Sequence, residues 1–246
     1  MADTSDSPVA FVAGITGSIG QELARRLVNA GWRVGGFARN PDRMDVPGVA
    51  VVAADATDSA AVQGAFAKLA EKLGPPSAYV HAVGSIILKP AHLTKDEDWL
   101  TTIDLNLNSA FYGLREAVKQ MKCGGSIVMI SSTAAQVGLP SHEAIAAAKG
   151  GVEALARSAA ATYASKGIRV NSVALGLVES NMSQPMLSSE TGRKISEAMH
   201  PLGRVGQPTD AASLIAWLCS EDASWVTGQQ WACDGGVSSV RQKAKL

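Results

Sequence analysis

Short apolar runs rich in β-branched residues alternate along this chain with longer stretches whose apolar positions recur at helical spacing. Residues 9–13, 33–37, 49–53, 78–82, 126–130, 169–174 and 229–233 read as strands, and 21–30, 59–73, 96–122, 141–165 and 209–218 as helices. Strands that alternate with helices are joined by crossovers, which gives a parallel sheet covered on both faces. Val9-Ala10-Phe11-Val12-Ala13 is apolar without interruption, as a strand buried on both sides requires. The pattern predicts an α/β fold with a doubly wound parallel sheet of about seven strands. No repeat, linker or low-complexity tract divides it, so residues 1–246 read as one domain. The exception to the alternation is 180–201, irregular and bearing Met182, Met186 and Met199. Its length predicts a functional lid, around residues 180–205.

Composition narrows the function. Apolar residues make up 46% of the chain, enough for a sizeable core. Lys plus Arg equals Asp plus Glu at 22 each, which argues against a sequence-independent hold on nucleic acid. Cys123, Cys219 and Cys233 are far apart and have neither disulfide-framework nor zinc-site spacing, so no metal is expected. The start, Met1 to Pro8, is polar and acidic, unlike a secretory signal, and no apolar stretch approaches the ~20 residues of a membrane span. The expected location is cytoplasmic, although Ala244-Lys245-Leu246 has the form of a weak peroxisomal address.

Candidate chemistry begins at the end of the first strand. Gly14-Ile15-Thr16-Gly17-Ser18-Ile19-Gly20 leads directly into a helix. Glycines permit so tight a turn and let a phosphate approach the backbone, and the free N–H groups of the helix start attract it. In this position the turn predicts a Rossmann-type dinucleotide site.

The chain resembles the short-chain dehydrogenase/reductase superfamily. Gly14 and Gly20 match the first and last glycines of its turn motif, with Ala13 in place of Thr and Ser18 in place of the middle Gly. His81-Ala82-Val83-Gly84 stands where the family has Asn-Asn-Ala-Gly. Asn106, Ile130-Ser131-Ser132, Arg169 to Gly176 (Leu175 replacing Pro), Pro201 to Arg204, Val226 to Gln229 and Asp234-Gly235-Gly236 match further motifs in order. The resemblance covers nearly the whole chain. It implies that Gly14, Thr16, Ser18, Ile19, Gly20, Gly84, Lys149 and Val178 bind the cofactor, that Asp55 contacts adenine, and that Ser180 contacts the nicotinamide amide. Ala38 stands where an acid would select NAD, and Arg39 follows with a planar fork suited to a 2′-phosphate, so NADP(H) is expected.

The resemblance also exposes a departure. The family's chemistry uses Tyr-x-x-x-Lys; Lys149 fits the Lys, but Ile145 occupies the Tyr position, and an Ile cannot move a proton. Asn106, Ser132 and Lys149 remain as catalytic candidates. Ser132 would polarise a carbonyl, and Asn106 would hold a water or the helix shape. Two readings stay open. In the first, another group supplies the proton. His142 lies seven residues before Lys149, in the slot that the divergent enoyl-reductase branch gives its Tyr, and Ser141 reads as the N-cap before it. Neighbouring Glu143 would complement the helix start. In the second, the chain is a cofactor-binding but silent partner of an active paralogue. The first is favoured: an NADP(H)-dependent oxidoreductase with an altered proton donor and a small-molecule substrate, hydrophobic or carrier-linked given a pocket of Ile145, Val178 and the Met-bearing lid. The resemblance implies a homotetramer packed through helices 96–122 and 141–165, the latter bearing Ala154, Ala156, Ala159, Ala160 and Ala161.

Overall fold

The computed structural model describes residues 7–241, so the Ala244-Lys245-Leu246 tail and Met1 to Asp6 lie outside the described residues. Seven strands form one sheet: β1 (Val9–Ala13), β2 (Arg33–Ala38), β3 (Ala50–Ala53), β4 (Ala78–His81), β5 (Gly125–Ser132), β6 (Ile168–Leu175) and β7 (Gln230–Cys233). Their order is β3-β2-β1-β4-β5-β6-β7, and each neighbouring pair is parallel. The predicted doubly wound α/β sheet is therefore the observed one. Its order reverses between β1 and β4, and such a switch point opens a crevice at the carboxyl ends of the strands.

Helices cover both faces. They are α1 (Ser18–Asn29), α2 (Ser59–Leu73), α3 (Asp96–Ile103), α4 (Ser109–Gln120), α5 (Glu143–Tyr163), α6 (Gln184–Leu187), α7 (Glu190–Met199) and α8 (Pro208–Cys219). Strand alternation divides the core. Val9, Phe11 and Ala13 of β1 pack with Phe66, Tyr79, Met129, Val152 and Ala156 on the side of α2, α4 and α5. Ala10 and Val12 face the other way, onto Leu23, Leu27, Ile215 and Leu218 of α1 and α8. Burying each of the larger aliphatic and Phe side chains contributes about 1.5–3 kcal/mol.

Two predicted helices differ in detail. The stretch 96–122 is broken by one π-helical turn, Asp104–Asn108, between α3 and α4. Side chains there take backbone acceptors: Asn106 Nδ2 donates to Thr102 O at 2.9 Å and Ser109 Oγ to Leu105 O at 2.8 Å. Ser141 does not cap α5. It has φ +63°, in the left-handed region, and His142 occupies the N-cap without a side-chain cap bond, so the helix begins at Glu143. The stretch after Ser180, read as irregular, contains the short helices α6 and α7. Of the five α5 alanines singled out from the sequence, Ala156, Ala159 and Ala160 are buried, while Ala154 and Ala161 are exposed. No helix among the described residues is long and apolar enough to cross a membrane.

Candidate active site

The turn between β1 and α1 is built by close approach. Gly14 has φ +75°, and its N–H donates to Phe37 O at 2.9 Å. A side chain at Gly20 would place a Cβ 2.5 Å from Gly14 O, so only glycine lets the helix start fold against the turn. Gly17 is the N-cap of α1 and supplies no side-chain cap bond, and no acidic residue occupies the first turn. The helix start thus keeps uncapped donors and a positive dipole end without a competing carboxylate, which suits an anion.

A cleft of about 410 Å³ opens over this turn at the carboxyl ends of the strands. On its far side Lys149 reaches in from α5. It is 6% exposed, and its Nζ donates to Ile130 O at 2.9 Å. Burial pushes its pKa down to about 8. Asn106, from the π turn, accepts from Ser85 N at 3.1 Å and donates to Ser85 Oγ at 3.1 Å, tying the loop after β4 to the helix. Ser132 ends β5; its Oγ accepts from Ala134 N at 3.2 Å, leaving its own proton to donate.

Residues 14–238 match the family model described as Enoyl-(Acyl carrier protein) reductase. The chain belongs to the short-chain dehydrogenase/reductase superfamily. It is 36% identical over 195 residues to the inactive 2-(S)-hydroxypropyl-CoM dehydrogenase 2 of Xanthobacter autotrophicus, covering 77% of this chain and 85% of that protein. It is 30% identical over 251 residues to the 3beta-hydroxysteroid dehydrogenase 1 of Eggerthella lenta, covering 97% and 96%. A short-chain type dehydrogenase/reductase from Mycobacterium ulcerans superposes with a TM-score of 0.88 at 30% identity, covering 94% of this chain and 90% of that one. The chain is therefore a protein of oxidoreductase type, from a superfamily that uses nicotinamide dinucleotides.

Within this superfamily member the cleft brings together Thr16, Ser18, Ile19, Gly20, Arg39, Gly84, Asn106, Ser132, Lys149, Val178 and Ser180. Ile145, buried one helical turn before Lys149, and Met182 also line it; Met186 and Met199 do not. Gly14 lies beneath the turn rather than in the wall. Asp55, after β3, is also outside the wall. Thr57 donates to its Oδ1 from N at 2.9 Å and from Oγ1 at 2.8 Å, and these bonds, with Arg39 nearby, hold its carboxyl below the usual range.

His142 is not brought to the cleft. Its Nδ1 lies 2.7 Å from Pro140 O at the N-cap of α5, and no atom of it lines the wall. Sequence reasoning missed Arg43, which joins Arg39 on the wall, and Ser85, which anchors Asn106. Arg43 follows Asn40-Pro41-Asp42, a turn signal just past the second strand, and that signal places it beside Arg39. Nothing local in sequence marks Ser85.

Beneath the cleft runs a buried polar chain. The Tyr79 hydroxyl lies 2.9 Å from His81 Nδ1, and His81 Nε2 lies 3.1 Å from Ser109 Oγ. Ser109 Oγ gives its proton to Leu105 O, so it accepts from Nε2–H, and Nδ1 accepts from Tyr79. Burial, aided by the charge of Lys149, pushes the His81 pKa down to about 3, so the imidazole is neutral.

Proposed function

We propose that the protein is an NADP(H)-dependent oxidoreductase acting on a carbonyl, alcohol or enone substrate without a catalytic tyrosine. The observation that carries this reading is the convergence of Lys149, Asn106 and Ser132 on one cleft with the uncapped start of α1. Residues Thr16 to Gly20 hold the pyrophosphate, with Gly14 shaping the turn beneath them. Arg39 and Arg43 hold the 2′-phosphate, and Asp55 holds the adenine. Lys149 holds the ribose beside Gly84, and Val178 and Ser180 hold the nicotinamide end. The bound dinucleotide supplies reversible hydride transfer.

The chain's own residues manage the proton. Ser132 donates its free hydroxyl proton as a hydrogen bond to the substrate oxygen. Ile145 closes the wall with apolar surface, excludes water and moves no proton. Lys149 is a better proton source than His142: it lines the cleft, and its lowered pKa eases release of a proton from Nζ to the oxygen, leaving a neutral amine. The apolar wall of Ile86, Ile145, Val178 and Met182 favours a hydrophobic or carrier-linked substrate, in keeping with the description of the matching family model. Residues 180–205 act as the lid, the full chain works as one domain, and a homotetramer forms through α3, α4 and α5. Trp99, Leu100 and Phe111 leave apolar surface exposed for that contact.

The second reading, a cofactor-loaded silent subunit, is favoured by Ile145 and by the word "inactive" in the name of a relative. One paired experiment decides between the two. NADPH is titrated by fluorescence, and its oxidation is followed with a panel of ketones, enones and acyl thioesters, wild type beside Ile145→Tyr. Consumption by wild type supports the enzyme. Tight binding with turnover in Ile145→Tyr alone supports the silent subunit.

A further inference from the structure

The backbone strip Gly176-Leu177-Val178 is a partition. It lines the cleft on one side and a second cavity of about 560 Å³ on the other. It follows β6, on the half of the sheet opposite Arg39 and Asp55. A dinucleotide laid across the switch point with its adenine end at Arg39 brings its nicotinamide end to this strip.

The strip is held from behind. Gly206 N donates to Leu177 O at 2.8 Å, and Glu179 N donates to Gly206 O at 2.9 Å. Both ends of the lid segment also anchor to it. At the near end Ser183 Oγ donates to Val178 O at 2.8 Å and accepts from Ser180 N at 2.9 Å. At the far end is His200, the residue after α7, 4% exposed and facing the second cavity. Leu177 N–H donates to His200 Nε2 at 3.2 Å, and His200 Nδ1 lies 2.7 Å from Ser196 O on α7. The backbone fixes the tautomer: a carbonyl can only accept and an amide N–H can only donate, so Nδ1 carries the proton and Nε2 is bare. His200 thus links helix α7 to the strip through two bonds of opposite sense. A side chain at Gly176 would bring a Cβ within 2.8 Å of Nε2, so glycine there makes room for the imidazole.

We propose that His200 is a positioning residue for the nicotinamide half of the cofactor: it fixes Leu177 from behind, and with it the Val178 and Ser180 wall, and so couples the lid to cofactor binding. This rests on the dinucleotide reading above and adds a residue to it. His200 touches no reacting atom.

The test compares two ligands that differ only beyond the adenosine end. NADPH and adenosine 2′,5′-bisphosphate are titrated against wild type, His200→Leu and His200→Gln. The Leu variant removes the acceptor, while Gln keeps one at similar reach. We expect His200→Leu to bind NADPH about tenfold more weakly, the worth of one buried hydrogen bond, with bisphosphate binding unchanged and His200→Gln restoring most of the loss. Equal weakening toward both ligands means general destabilisation and overturns the proposal, as does unchanged NADPH binding in His200→Leu. Hydrogen exchange at the wild-type Leu177 amide needs no variant. NADPH should slow it and the bisphosphate should not; no effect of NADPH overturns the coupling. If wild type prefers NADH, the NADP reading fails by itself and the comparison is decided with NADH and AMP. Binding of neither dinucleotide overturns both.

Discussion

Lys149 Nζ donates a hydrogen bond to the carbonyl oxygen of Ile130 at 2.9 Å, and that bond holds a cation 6% exposed at the edge of the cleft. Burial lowers its pKa from 10.5 to about 8, so folding carries a penalty for the charge. The penalty is fully present below about pH 8, shrinks as pH rises, and vanishes above the unfolded value near 10.5. Lys149→Met should therefore raise stability near pH 7 by up to about 3 kcal/mol, with the advantage fading toward pH 10. The same variant should lose NADPH affinity and any turnover. Urea unfolding at the two pH values, beside an NADPH titration, checks both parts.

The neutral His81 sets an acid limit. Its folded pKa of about 3 lies below the unfolded value near 6.5, so its contribution is intact above pH 6.5 and is lost as pH falls toward 3. About 3 kcal/mol should be gone by pH 4.5. Replacing it with Leu strands the Tyr79 hydroxyl and costs about 1–3 kcal/mol at neutral pH. That variant should show a flatter decline below pH 6.5, so urea midpoints of the two proteins converge in acid. Parallel curves would contradict the assignment.

Arg39 and Arg43 share the cleft wall near the end of β2. Arg39→Ala should weaken NADPH by about 10- to 100-fold, the range for losing a charge-assisted hydrogen bond, and leave NADH nearly unaffected. Equal loss for both cofactors would remove Arg39 from the 2′-phosphate site.

Ile145→Tyr introduces a phenol into a packed wall. The variant should be about 1–3 kcal/mol less stable, from overpacking, yet turn over faster than wild type with at least one carbonyl in the panel. Thermal unfolding and NADPH consumption measure the two effects separately; slower turnover in a folded variant would show that Ile145 is required as it stands.

The alternation of strands and helices sufficed for the sheet, because strands buried on both faces must be apolar throughout and crossovers must be helical. The glycine turn was legible for a similar reason: φ +75° at Gly14 and the contact at Gly20 leave no other residue type. The chain itself also showed Lys149, and Ile145 four residues before it. Tertiary structure decided what depends on distant partners. The π turn carries Asn106, whose side chain meets the Ser85 loop 21 residues away, and no periodicity encodes that meeting. Spacing alone placed His142 near Lys149, but α5 begins one residue too late, and the left-handed Ser141 turns the preceding chain away. The neutral state of His81 and the latch between His200 and Leu177 follow from burial and from pairings between separate elements, which only the folded backbone sets.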